Sequence, residues 1–359
     1  MVHTDICIAG AGIIGLSLAL ELHARGLGVT VVEARLPLRE ASTAAAGMLA
    51  ADDPHNPAEL SPLAHRSVAL YPEFLRRLQS LSGIAVPFQT SFTLQSVTDT
   101  PSAPLDYRLL TASDGIAPPL SSGFALLRER SLDPRQLASA LLTAVASTTV
   151  HLLTGTPVLS TLAMGDSVAV STSASAIEAA RFVDCTGAWT SDPAYTVFPI
   201  KGQMLALALP AEFPMRRTLR TRDIYIVPRT AGPNAGRAIV GATVEDAGFD
   251  RIVHTAQIED LRRQAIALVP ELAHAPVLES WSGLRPATAD RLPLIGPHPT
   301  KPRHWIATGH FRNGILLAPA TARIMTQLLL NETPSLTTEA FSPSRPMASQ
   351  RQSVFPERS

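Results

Sequence analysis

Gly10, Gly12 and Gly15 form a G-x-G-x-x-G pattern around Ala11, Ile13 and Ile14, and Glu33 follows 18 residues after Gly15. That set suits a dinucleotide. The first glycine permits a tight turn, and the second lets a pyrophosphate reach the backbone. The third lets a helix pack closely on a strand, while the acid accepts from a ribose hydroxyl. A helix opening at this point adds free N–H groups and positive potential for the phosphates. The loop alone does not separate FAD from NAD, although its place early in the chain favours a resident FAD.

Three further segments have chemical potential. Thr43–Ala50 (TAAAGMLA) is a run of tiny residues. It suits close helix packing, or a backbone that lies against a flat ring. Gly283-Leu284-Arg285-Pro286 places an arginine before a proline, so Arg285 is expected in extended backbone. Taken alone, it would equally suit an exposed ion pair. Gly309–Gly314 (GHFRNG) falls between a strand pattern and a helix pattern, where free N–H groups gather again. No Asp–His or Ser–His constellation stands out. Two cysteines, Cys7 and Cys185, exclude a disulfide scaffold and a Cys-rich zinc site, and no metal is expected.

These residues need elements to position them. Asp5–Ala9 reads as a strand, Ile13–Ala24 as a helix and Val29–Glu33 as a β-branched strand, together a βαβ unit. Ser42–Ala51 could open a second helix, and Leu60–Leu81 has helical spacing. From Val86 short strands alternate with turns at Pro101, Pro104, Gly115, Pro118 and Gly123. Asp133 with Pro134 reads as an N-cap and first position of a helix reaching Ala146. Strands are expected at Thr148–Leu153, Pro157–Ala163, Ser167–Thr172, Arg181–Cys185, Lys201–Leu209, Ile224–Val227, Arg237–Ala242 and Trp305–Thr308. Helices are expected at Thr255–Leu268 and Asn313–Leu330. A βαβ start, a strand-rich middle and a final strand–loop–helix suggest two interleaved domains. The expected division is 1–85, 134–200 and 290–340 for a dinucleotide-binding domain, 86–133 and 201–289 for a substrate domain, and 341–359 as a loose tail.

Composition narrows the partners. The 359 residues suit about two domains at roughly 150 each. With 30 basic and 30 acidic residues, the chain lacks the basic excess that nucleic acid or an anionic membrane would require. Ile6–Leu22 is apolar, but Asp5 stands before it and no Lys or Arg does, so it is not read as a signal peptide. No other stretch approaches about 18 consecutive apolar residues, so no membrane span is expected and the cytoplasm is the expected location.

The motifs, taken together and in order, resemble the FAD-dependent amine and D-amino-acid oxidase superfamily, and within it the glycine oxidases of thiazole (thiamine) biosynthesis. The matching pieces are Gly10–Gly15, Glu33, Ala41–Ala50 (ASTAAAGMLA), Tyr225–Arg229 (YIVPR), Val240–Thr243 (VGAT), Gly283–Gly296 (GLRPATADRLPLIG) and Gly309–Thr321 (GHFRNGILLAPAT). They span about residues 5–330, and the last is long and specific.

The resemblance implies an α/β fold. A Rossmann-like FAD-binding domain would be interleaved with a mixed antiparallel-sheet substrate domain, as in D-amino-acid oxidase and glutathione reductase. It implies FAD contacts at Gly10, Gly12, Ile13, Ile14, Gly15, Glu33, Ala34, Ser42, Ala46, Gly47, Met48, Val158 and Gly187. The same holds for His310, Phe311, Arg312, Asn313, Gly314, Ile315 and Leu316. It makes Arg285 the carboxylate receptor, a planar guanidinium offering two parallel donors. Tyr225, Arg312 and Val244 would complete the substrate site. Val244 stands where a methionine is usual, which implies a wider pocket, and Ala287 stands where glycine is usual. No cysteine lies near the flavin-facing motifs in sequence, so FAD is expected to be held non-covalently.

The implied reaction is oxidation of glycine, sarcosine or D-alanine by oxygen to a 2-oxo acid, ammonia and hydrogen peroxide. Hydride would leave Cα for the flavin and an imine would hydrolyse, with no side-chain acid or base. A homo-oligomer and a thiazole synthase partner are further implications. Two alternatives stay open: a D-amino-acid or N-methyl amino-acid dehydrogenase with another acceptor, and a flavin-binding module without turnover.

Overall fold

A computed structural model of the chain describes residues 2–98, 107–112 and 123–346. The turns expected at Pro101, Pro104, Gly115 and Pro118, and the tail beyond 346, lie outside these residues.

The opening βαβ unit forms as expected: β1 (Val2–Ala9), α1 (Ile13–Ala24) and β2 (Val29–Val32). Helix α1 carries Ile, Leu and Ala on most of its surface and is buried almost all round. Such a helix has to lie in a core. It packs with Ser61–Ser82, Pro134–Ala146 and Gly314–Leu329 in one apolar cluster. Helix Pro134–Ala146 starts where its cap predicts: the Asp133 side chain accepts from the Arg135 N–H at 2.9 Å.

Five strands of the first sheet run parallel, in the order His304–Thr308, Ala176–Asp184, β1, β2, His151–Leu153. The register sets Ala9 beside both Val32 and Asp184, and Asp184 beside Ile306. Gly10, Glu33, Cys185 and the 309–314 segment therefore leave the sheet at one edge. The carboxyl ends of parallel strands are where open α/β sheets bind their ligands. The hairpin Val158–Met164 and Ser167–Thr172 extends this sheet by antiparallel pairing.

The second sheet is mixed, ordered Val277–Ala287, Phe198–Ala208, Arg237–Gly241, Tyr225–Arg229, Thr218–Arg220, Thr93–Ser96, Phe124–Leu127. Thr255–Leu268 covers its outer face over a second apolar cluster. One strand here is not among those expected, and one expected helix changes. Val277–Ala287 is a long strand that pairs with Phe198–Ala208 along almost its whole length. Its polar, glycine-interrupted sequence hid that pairing. The expected helix from Ser42 is a single turn, Ala41–Ala44. It ends at Ala45, whose backbone is already extended (ψ 153°), and two residues on Gly47 adopts φ +84°, where a Cβ would fall on the Leu132 carbonyl oxygen. Among the described residues no helix is long and apolar enough to cross a membrane.

Candidate active site

A cavity of about 790 Å³ runs from the glycine loop to the inner face of the second sheet. That is a usual size for a cofactor or substrate site. At the loop end, Glu33 Oε2 accepts from the Ala11 N–H at 2.8 Å, and Oε1 from the Arg35 N–H at 2.9 Å. The acid is thereby tied to the loop it was expected to serve. Ser42 Oγ accepts from the Ile13 N–H at 2.9 Å, at the first turn of α1.

The glycines divide their work as the pattern requires. Gly10 has φ +99°, and a Cβ there would lie 2.5 Å from the Cys185 carbonyl oxygen. A Cβ on Gly15 would fall on the Gly10 carbonyl oxygen, so this glycine closes α1 against the strand. A Cβ on Gly12 would meet only Ser42 Oγ, at 3.5 Å, which leaves that backbone open to the cavity. A loop open at its middle glycine, with Ala44, Ala45 and Ala46 on the adjoining wall, fits a dinucleotide and a flat ring.

The other end of the cavity gathers Arg285, Tyr225, Arg312 and Val244. Arg285 Nη1 donates to the carbonyls of Thr243 (3.0 Å) and Lys201 (3.3 Å). Its guanidinium occupies the place a Cβ on Gly202 would take. Cross-strand register lines up Met204, Gly241 and Tyr225, and a Cβ on Gly241 would lie 2.6 Å from the Tyr225 hydroxyl. Burial raises the Tyr225 hydroxyl pKa while the Arg285 charge opposes the rise, so Tyr225 is a neutral donor. Burial also lowers Arg285 and Arg312 from the usual arginine range. Arg312 Nη2 lies 3.2 Å from Asp53 Oδ2, and Asn313 Nδ2 donates to Asn56 Oδ1 at 3.0 Å.

His310 is buried, with Nε2 3.1 Å from Thr321 Oγ1. Burial takes it down to about 3, so it is neutral at ordinary pH. Phe311 adopts φ +47° and its N–H donates to the Pro286 carbonyl at 2.7 Å, which joins the 309–314 segment to the Arg285 strand. A non-glycine residue held in left-handed backbone against a cavity is typical of functional sites.

Every expected site residue except Gly15 and Leu316 lines this cavity. Gly15 is spent on packing, and Leu316 is buried in the helical core. One expectation needs correction. Cys185 does reach the cavity wall, because its strand runs beside β1 and its N–H donates to the Ala9 carbonyl at 2.8 Å. Burial, helped by Asp184, holds the thiol well above its usual pKa and so keeps it unreactive. Sequence reasoning missed Asp53, Arg220 and Gly202, all on the wall. Gly202 had a signal, a glycine inside a strand pattern, which often marks a close approach. Asp53 and Arg220 had none.

A strand–loop–helix cradle for a dinucleotide, joined to an arginine-bearing second sheet, defines a two-sheet flavin-type oxidoreductase. The family model of the FAD dependent oxidoreductases (DAO) matches residues 5–328. The chain belongs to that family and binds FAD. It is 36% identical to the bifunctional protein ThiO/ThiG of Nostoc sp. over 91% of this chain and 53% of that protein. The chain thus spans about half the length of such relatives. It is 30% identical to the glycine oxidase of Geobacillus kaustophilus, over 95% of this chain and 97% of that protein. The crystal structure of that organism's glycine oxidase superposes with a TM-score of 0.86 at 27% identity, covering 97% and 100% of the two chains.

Proposed function

We propose that this chain oxidises glycine or a similarly small amino acid with oxygen and water to the 2-oxo acid, ammonia and hydrogen peroxide. The observation that carries the reading is Arg285, which projects into the cavity opposite the glycine loop without a carboxylate of its own. FAD, held non-covalently, would supply the redox chemistry here, a two-electron acceptor between the amine and oxygen. The Gly10–Gly12 loop, Glu33, Ser42 and the 45–48 backbone would hold it.

The rest is positioning by the chain. Arg285 pairs with the substrate carboxylate through two donors, and the neutral Tyr225 hydroxyl adds a third. That fixes Cα and leaves the amine toward Val244 and the cavity. The amine has to be neutral to release hydride, and His310, uncharged and buried, takes no proton in the working range. The first sheet is the cofactor-holding half and the second the substrate-holding half of this arrangement. The likeness to ThiO/ThiG supports a role in supplying the thiazole branch of thiamine synthesis, in the cytoplasm, with a thiazole synthase as pathway partner and a homo-oligomer as the working form.

The test is anaerobic mixing of the flavin-loaded protein with glycine, sarcosine, D-alanine and D-proline, followed by air. Bleaching of the flavin by glycine, with colour and peroxide returning in air, supports the reading. Bleaching without reoxidation by air points to a dehydrogenase. No bleaching by any of the four would sink the reaction.

A further inference from the structure

Among the arginines that line the cavity, Arg220, Arg285 and Arg312 differ in their partners. Arg312 Nη2 lies 3.2 Å from Asp53 Oδ2. Arg220 Nη1 lies 2.9 Å from Glu129 Oε2, and its Nε is 3.9 Å from Asp53 Oδ2. Arg285 donates to the Lys201 and Thr243 carbonyls and is hydrogen-bonded to the Tyr225 hydroxyl; Glu245 attracts it from further off, and among the described residues no carboxylate lies within ion-pair distance of it. Of these three, Arg285 is open to a carboxylate and the other two are already matched to acids of the chain.

Asp53 is well placed to enforce this. Its side chain is 7% exposed, and Oδ1 accepts from the His55 N–H at 2.9 Å and lies 3.1 Å from His55 Nδ1. Burial raises its carboxyl pKa, but the His55 bond and the charges of Arg312 and Arg220 outweigh that and hold it well below the usual carboxylate range. It is an anion at any working pH, and it borders the cavity itself.

We propose that Asp53 is a specificity-determining residue: by occupying Arg312, it limits the site to amines with a single carboxylate and turns away those with two. A second carboxylate could reach Arg312 only by displacing Asp53, and would otherwise sit beside an unrelieved negative charge. Rejection by like charge is a common source of discrimination between related ligands. The proposal rests on the substrate reading above, which assigns the first carboxylate to Arg285.

The test uses ligands without an amine, so it does not depend on turnover. Methoxyacetate and diglycolate share an ether core and differ by one carboxylate. Their dissociation constants are read from perturbation of the flavin spectrum in the FAD-loaded protein. Wild type is expected to bind methoxyacetate at least tenfold more tightly than diglycolate. D53N should shift that ratio at least tenfold toward diglycolate, D53E should keep it within twofold, and D53N/R312Q should lose the shift. A wild-type preference below tenfold, a smaller shift in D53N, or a shift that survives loss of Arg312 would overturn the proposal. If D53N does not fold, R312Q in its place should weaken Asp53's hold without relieving its charge and keep the wild-type preference, and a wild-type preference below tenfold overturns the proposal whatever the variants do. Absence of flavin bleaching by amines would overturn the oxidase reading and leave this test standing.

Discussion

Gly202 carries no side chain, and that absence gives Arg285 its place. A methyl group there would occupy the position of the guanidinium. G202A is expected to displace Arg285 and raise the KM for the amine at least tenfold while FAD still binds. R285K keeps the charge but loses the two parallel donors, and should cost about a hundredfold in kcat/KM, or about 2.7 kcal/mol at about 1.36 kcal/mol per tenfold. Steady-state kinetics with matched flavin content checks both. An unchanged KM in G202A would mean that Arg285 does not hold the carboxylate. His310 makes a different claim. Its ordinary pKa of 6.5 falls to about 3 in the fold because burial penalises the charged ring. Below pH 6.5 the unfolded chain binds a proton that the native state does not accept until about pH 3. Stability is therefore lost as pH falls through that window, by about 2 kcal/mol at pH 5. H310Q, which can still bond Thr321, should lose less stability between pH 7 and 5 than wild type. Urea midpoints at the two pH values test this, and parallel losses would show that the ring is not the cause.

At the scale of elements, the extended backbone after Ala44 has to stay on the cavity wall without a helix to hold it. Arg229 does part of that work. Its Nη2 donates to the Ala46 carbonyl at 2.9 Å, and its Nε lies 3.9 Å from Asp133 Oδ1, the cap of the helix Pro134–Ala146. Burial takes it down to about 10, which still leaves it charged near neutral pH. R229M would leave a buried carbonyl without its donor, at about 1–3 kcal/mol. It should weaken FAD binding tenfold or more, measured by fluorescence titration of the apoprotein, and an unchanged affinity would show the backbone to be held by other means. The sequence made some of these elements plain and hid others, for physical reasons. Ile13–Ala24 and Pro134–Ala146 carry their own boundaries, glycines and a breaker-free apolar run in one, an Asp–Pro cap in the other. Val277–Ala287 does not, because Glu279, Ser280, Ser282 and Gly283 obey no alternation, and its strand character comes from the partner Phe198–Ala208. The same limit applies in the site. Arg285 and the 309–314 segment were legible from their fixed neighbours, Pro286 and the flanking glycines. Asp53 sits in a turn-like ADDP stretch that resembles surface, and only folding brings it to Arg312.

At the scale of the whole molecule, neither sheet encloses the cavity alone. The glycine loop and Glu33 stand on the first sheet and Arg285, Tyr225 and Gly202 on the second, with the 309–314 segment bonded to Pro286 between them. A ligand that fills such a space stabilises whatever arrangement closes around it. At a free concentration one hundred times its dissociation constant, FAD should add about 2.7 kcal/mol to the native state. Removing it should therefore lower the unfolding temperature, and adding it back should raise that temperature progressively with concentration. The stronger consequence concerns where the protection appears. If the cofactor draws the two halves together, amide exchange should slow not only at Gly10–Gly15, the proposed dinucleotide loop, but also at Gly283–Ala287 and Ala242–Val244 across the cavity. Hydrogen exchange of apoprotein and FAD-loaded protein, followed by mass spectrometry, separates the two cases. Slowing confined to the glycine loop would mean that the substrate wall is already set before the cofactor arrives, and that FAD adds stability to the first sheet alone.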